Sequence, residues 1–136
     1  MNTCTHIEAY RVNEHARIGT LPRHFGRHMM TVESRIYDLL RQFSADYTGG
    51  YWQFYELSNG GFYMAPELET ARLVIASNGF EDQMSGDAAG ITVCLFAFSH
   101  LSFEYRQAEV FARHFHRLRD YAAEHAEAQK IFGAID

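Results

Sequence analysis

Lysine is almost absent from this sequence: Lys130 stands alone beside eleven arginines. Residues 42 to 71 contain no cation of either kind, although Asp46, Glu56, Glu67 and Glu69 fall there. That stretch therefore lacks the positive groove that tracks a nucleic-acid backbone. Proline occurs only at 22 and 66, and no Pro/Ser/Gly-rich linker interrupts the chain, so residues 1–136 read as a single domain with a loose tail over 1–10. Cysteine occurs only as Cys4, in that tail, and Cys94, in an apolar run. Two such distant thiols make no disulfide framework; Cys94 reads as a small buried hydrophobe in a reducing, cytosolic setting. No hydrophobic run reaches the roughly 20 residues of a bilayer span. The strongest, Ile91 to Leu101, holds Thr92, Ser99 and His100. The opening residues, MNTCTHIEAYRVNEH, have no apolar core of a secretory leader. A soluble chain with no membrane partner is expected.

The composition is that of a folded domain: 47% of residues are apolar and 21% charged, enough for a core. The 17 acids exceed the 12 Lys and Arg residues for a net charge of −5, and the two signs are segregated. Residues 11 to 28 carry Arg11, Arg17, Arg23 and Arg27 against Glu14 alone. A basic entry segment thus precedes an acidic middle.

Periodicity gives an α+β order. Residues 6–12 read as a short strand or an extended arm. Leu21-Pro22 opens a new element, since proline suits the first turn of a helix, and Gly26 interrupts it. Met29, Val32, Ile36, Leu39, Leu40 and Phe43 recur at helical spacing, predicting a helix from Met29 to Tyr47. Tyr51–Leu57 and Gly61–Ala65 read as strands, and Arg72–Ser77 as a third. A loop with Gly79 and Gly86 follows. Ser85 reads as an N-cap with Asp87 in the first turn, starting a helix that runs to about His100. Phe103–Glu124 forms a second helix, and 126–135 a short terminal turn. The expectation is a small three-stranded antiparallel meander packed with about four helices.

The segment GGYWQFYELSNGGFYMAP (49–66) is the most unusual part, with six aromatic residues in eighteen. Asn59-Gly60 signals a two-residue type I′ turn. That turn pairs Leu57 with Phe62, Glu56 with Tyr63 and Tyr55 with Met64. Both faces are then apolar, so the hairpin reads mainly as core covered from two sides. With no cation in the segment, single-stranded nucleic acid is not expected to bind it.

Few residues point to catalysis. There is no GxSxG, P-loop or GxGxxG. His24 and His28 stand four apart, a spacing that places two ligands on one helix face, and with His114 they make a conceivable zinc site. Gly26 weakens that helix, and histidines at the surface or at caps are the default. No metal, cofactor or catalytic residue is assigned, and the chain is not read as an enzyme.

Three blocks carry a longer resemblance. LPRHFGRHMM (21–30), ADYTGGYWQFYELSNGGFYMAP (45–66) and GDAAGI (86–91), in this order and spacing, resemble the ArdB/KlcA antirestriction family from about Arg11 to Tyr121. The resemblance implies a protein of plasmids and other mobile elements. Such a protein relieves type I restriction–modification of incoming DNA in the bacterial cytoplasm. Its implied partner is the restriction–modification complex or a host factor that controls it. It brings no catalytic residues. Arg23, His24, Arg27, His28, Trp52, Tyr55, Tyr63 and Asp87, with Asn59, Gly60 and Gly61, lie in or beside the matching blocks and serve the fold or an interface. B-form DNA carries one negative charge per roughly 1.7 Å of axis. Seventeen acids diluted by eleven arginines make a poor DNA mimic, so contact with a protein is expected. The alternatives are a DNA-binding module built on residues 11–28 and a metal enzyme built on the histidines.

Overall fold

The computed structural model describes residues 6–136; Cys4 and most of the expected tail lie outside them. Strand β1 (Ala9–Arg11) leads through a 3-10 turn at Glu14–Ala16 into helix α1 (Arg17–Phe25). A second 3-10 turn, Gly26–His28, joins α1 to α2 (Met29–Phe43). Four strands follow, β2 (Trp52–Leu57), β3 (Phe62–Pro66), β4 (Thr70–Ile75) and β5 (Phe80–Ser85). Helices α3 (Gly86–Glu104), α4 (Glu109–Ala122) and α5 (Ala128–Ile135) complete the chain.

The α+β class and the small three-stranded antiparallel sheet are both present. The sheet runs β1-β2-β3, so its third strand is Ala9–Arg11 and not Arg72–Ser77. β1 is held by Ser58 N–H donating to the Glu8 carbonyl and Val12 N–H donating to the Phe54 carbonyl, 2.8–2.9 Å. The strand expected at Arg72–Ser77 forms as β4 and pairs with β5 in a separate hairpin. β5 was expected as loop, because Glu81, Asp82 and Gln83 mask its alternation. Only its Met84 is fully buried, and the polar residues face outward from a two-stranded ribbon.

Three boundaries move for local reasons. The helix expected to begin at Leu21-Pro22 starts at Arg17, with Pro22 inside it. Proline there removes a bond to the carbonyl of Ile18, a residue 89% exposed where water can replace it. Gly26, at φ +54°, then ends α1. α2 stops at Phe43 and not Tyr47, because Ser44 turns extended and Tyr47 swings under the sheet. There its hydroxyl accepts from Trp52 Nε1 at 3.1 Å. The expected helix over Phe103–Glu124 is split: its first two residues extend α3, and the chain turns at 105–108 before α4. The expected terminal turn is helix α5, so five α-helices surround the strands.

The hairpin register also differs from the two-residue turn. Tyr55 faces Tyr63, Phe54 faces Met64 and Glu56 faces Phe62. Gly60 alone takes positive φ, at +89°, while Asn59 keeps negative φ. The loop is therefore Ser58–Gly60, a three-residue connection with glycine at the left-handed position. Asn59 holds it by accepting from Gly61 N–H at 2.9 Å and donating to the Arg117 carbonyl at 3.0 Å. The one-residue shift moves Tyr63 onto the face of Tyr55.

Helix α3 is apolar all round because it is surrounded. It is long and apolar enough to cross a membrane by length and composition, but twelve of its nineteen residues are buried in the fold. Ser85 caps it as expected, accepting from Ala88 N–H at 3.0 Å. Cys94 lies fully buried at its middle, and burial pushes its thiol up to about 12. The GDAAGI block explains how close α3 comes to the sheet. A Cβ on Gly90 would sit 2.5 Å from the Ala65 Cα and the Met64 carbonyl, and one on Gly86 would sit 2.1 Å from the Leu68 carbonyl. Both obstacles are backbone.

Gly90→Ala therefore destabilises the protein by about 3 kcal/mol or more, although alanine favours helix. Gly19→Ala, where an added Cβ meets nothing within 4 Å, leaves the thermal midpoint unchanged or slightly raised. Equal midpoints for the two variants in thermal unfolding would contradict this packing.

Candidate functional site

The eight residues singled out from the sequence separate into a core residue and three clusters. Trp52 is core. It is 2% exposed, donates to Tyr47, and meets the Tyr37 ring edge-on at 5.2 Å. Arg17 reaches across from α1, donating to the Trp52 carbonyl at 2.8 Å and lying between the Tyr51 and Phe54 rings.

The first cluster centres on Glu56. Arg23 bonds one of its oxygens and His24 Nε2 lies 2.7 Å from the other. His24 packs edge-on against His114 of α4 with ring centroids 4.9 Å apart. His114 is 2% exposed, and its Nδ1 has no hydrogen-bond partner. Burial, reinforced by His24, Arg117 and Arg113, pushes the His114 pKa down to about 3. The histidine trio considered for zinc is not assembled. His28 turns away to contact Tyr105 at 5.1 Å and Phe111 at 5.2 Å, and no metal-binding group of three His, Cys, Asp or Glu side chains occurs among the described residues.

The second cluster is a cleft of about 450 Å³ between the Gly26–His28 turn and the turn joining α3 to α4. Arg27 and His28 face Tyr105 and Arg106 across it.

The third cluster lies on the other face of the sheet. The Tyr63 hydroxyl donates to Asp87 Oδ1 at 2.7 Å, and His125 Nε2 lies 2.8 Å from Asp87 Oδ2. His125 Nδ1 accepts from Glu127 N–H at 2.9 Å, so Nε2 is the nitrogen that donates to Asp87. Tyr63 stacks between Tyr55, at 4.6 Å, and Tyr121, at 5.7 Å. Burial, and then the Asp87 charge, hold the Tyr63 phenol well above its ordinary range, so it stays protonated and donates. Glu127 accepts from Ser85 N–H at 2.9 Å and from the Ser85 hydroxyl. These bonds tie the start of α3 to the chain leading into α5. Tyr63 is 1% exposed; of the hairpin candidates only Tyr55 keeps solvent-facing surface.

Glu56, His125, Tyr121, Glu127 and Arg106 are not legible as site residues in the sequence, and His114 is legible there only as a conceivable zinc ligand. Each partners a residue more than thirty positions away, except Arg106, whose cleft the α3–α4 turn creates. No local spacing carries such signals.

Because the folded chain leaves His114 unprotonated down to about 3 while the unfolded chain takes up a proton near 6.5, stability falls as pH drops through that window. From pH 6.5 to about 5 the loss reaches about 2 kcal/mol, by the free energy of a pKa unit. His114→Gln should flatten the pH dependence of the thermal midpoint over this range, and an unchanged slope would contradict the assignment.

The chain was compared with known proteins. The family model for antirestriction protein matches residues 45–136. Antirestriction protein KlcA of Escherichia coli is 42% identical over 137 residues, covering 96% of this chain and 94% of that one. The putative antirestriction protein YubI of Escherichia coli K12 is 31% identical over 131 residues, covering 92% and 93%. A solved structure, reported with the KlcA and ArdB proteins as a novel fold with antirestriction activity against type I DNA restriction systems in vivo but not in vitro, superimposes with a TM-score of 0.88. It is 41% identical over the full length of both chains. The resemblance read from the three sequence blocks is thereby established, and this chain belongs to the ArdB/KlcA antirestriction family.

Proposed function

We propose that this protein relieves type I restriction of incoming plasmid or mobile-element DNA in the bacterial cytoplasm through contact with a protein. It neither imitates DNA nor catalyses a reaction. The observation that carries this reading is the state of its carboxylates. Glu56 is taken by Arg23 and His24, Glu104 by Arg35, Glu81 by Arg72, and Asp87 by Tyr63 and His125. A DNA mimic needs its acids free and regularly spaced to replace phosphates; here these four are paired within the fold.

The behaviour described for the solved relative, active in vivo but not in vitro, supports a target present in the cell and absent from a purified reaction. That favours a host factor controlling the restriction complex, or a cellular state of the complex itself. The alternative, a DNA-binding module on residues 11–28, loses part of its basis in the fold. Arg17 is clamped on the hairpin and Arg23 on Glu56, leaving only Arg11 and Arg27 of that segment's four arginines for phosphate.

In cells carrying a type I system, expression of the protein should raise the plating of unmodified phage. The purified protein should not displace the restriction enzyme from duplex DNA at low salt. Displacement that is abolished by salt and by acid-to-amide changes would overturn the proposal.

A further inference from the structure

The cleft between the Gly26–His28 turn and the α3–α4 turn has a polarity unlike the rest of the molecule. Its one lining carboxylate, Glu104, is already bound by both terminal nitrogens of Arg35, at 2.7 and 2.9 Å. Arg27 and Arg106 are exposed and have no ion-pair partner among the described residues. Arg113 and Arg117 of α4 extend this positive character past His114 to the β2–β3 loop, where Arg117 bonds the Gly60 carbonyl at 3.3 Å. Glu56, the carboxylate beside them, is occupied by Arg23 and His24. A chain with net charge −5 therefore presents one cationic band, assembled from segments some eighty residues apart.

Apolar groups lie close to the cleft in sequence, Phe103 beside Glu104 and Met30 two residues past His28. Phe103 is 69% exposed, Met30 is 71% exposed, and Tyr105 packs on His28 at the cleft wall. Arginine beside Phe, Tyr and Met is the composition of a protein interface, where aromatic anchors fill pockets and guanidinium forks bind carboxylates in pairs.

We infer that the Arg27–Arg106 cleft receives an acidic segment of a protein partner, with Asp or Glu carboxylates entering between the two guanidiniums. This rests on the protein-contact reading above and gives that partner its chemistry. A duplex is the poorer occupant. It carries its charge on two continuous backbones, whereas the cationic band here is short and belongs to a protein of net negative charge that repels DNA at longer range.

The test uses the full chain and an Arg27→Glu/Arg106→Glu double variant, with Arg11→Glu/Arg119→Glu, two exposed arginines outside the cleft with no ion pair among the described residues, as a control of equal charge change. Binding of a labelled oligoglutamate peptide and of a short duplex is measured, alongside thermal unfolding and phage plating in restricting cells. The inference predicts salt-sensitive peptide binding that the Arg27/Arg106 variant weakens by about tenfold or more, with loss of protection in cells and an unchanged thermal midpoint. The control keeps both activities. Full protection by the folded Arg27/Arg106 variant would overturn the inference and leave the protein-contact reading standing. Duplex binding lost in that variant would overturn both. A wild-type chain that binds peptide through the cleft yet protects no cells would sink the antirestriction reading and support the cleft alone.

Discussion

Helix α3 lies directly on strand β3 because Gly90 puts no side chain between its backbone and that of Met64 and Ala65. The rest of the structure depends on that contact. It brings Asp87, one turn earlier, under the Tyr63 hydroxyl, and it places Ser85 where Glu127 can hold it. The C-terminal segment is thereby fastened to the start of α3, so α4 returns beside the α1 end with His114 against His24. With α4 in place, Arg113 and Arg117 join Arg23 and Arg27 on one side of the molecule. A methyl group at Gly90 would disturb the whole sequence of contacts, because the atoms it would meet are backbone and cannot rotate away.

The aromatic hairpin, which most plainly marks the family, is largely interior. All of β3 is buried, and Trp52, Phe54 and Leu57 of β2 are buried with it. Tyr63 buries its ring and donates its hydroxyl to Asp87, and the Trp52 indole donates to Tyr47 just before the hairpin, while Tyr51 is exposed and Tyr55 half-buried. Buried polar groups in such networks must be satisfied, and that alone accounts for a closely matched block without giving each member a role in recognition. The proposed protein contact then falls to the exterior.

What could be read from the sequence followed the range of each interaction. Ser85 as a cap, the α2 face and the α+β class rest on spacings of three, four or a few residues. They appear as expected. The hairpin itself was legible, but its register was not, because Asn-Gly serves both a two-residue and a three-residue turn and only Gly60 takes the positive φ. β5 was hidden since an exposed ribbon strand need not look apolar. Pro22 misplaced the start of α1 because an exposed helix tolerates a lost hydrogen bond there. The candidate residues could be named one by one from the sequence, but not their grouping. Arg27 meets Arg106, and Asp87 meets His125, only after the chain has folded back on itself.

The proposed target is a protein present in cells and not DNA. The most direct measurement is a type I restriction reaction on unmodified DNA, with and without extract from the bacterial host, to which the purified protein is added. Relief of cutting is expected only when extract is present, at protein levels independent of the DNA concentration. Relief in the fully purified reaction, reversed by adding more DNA, would contradict it.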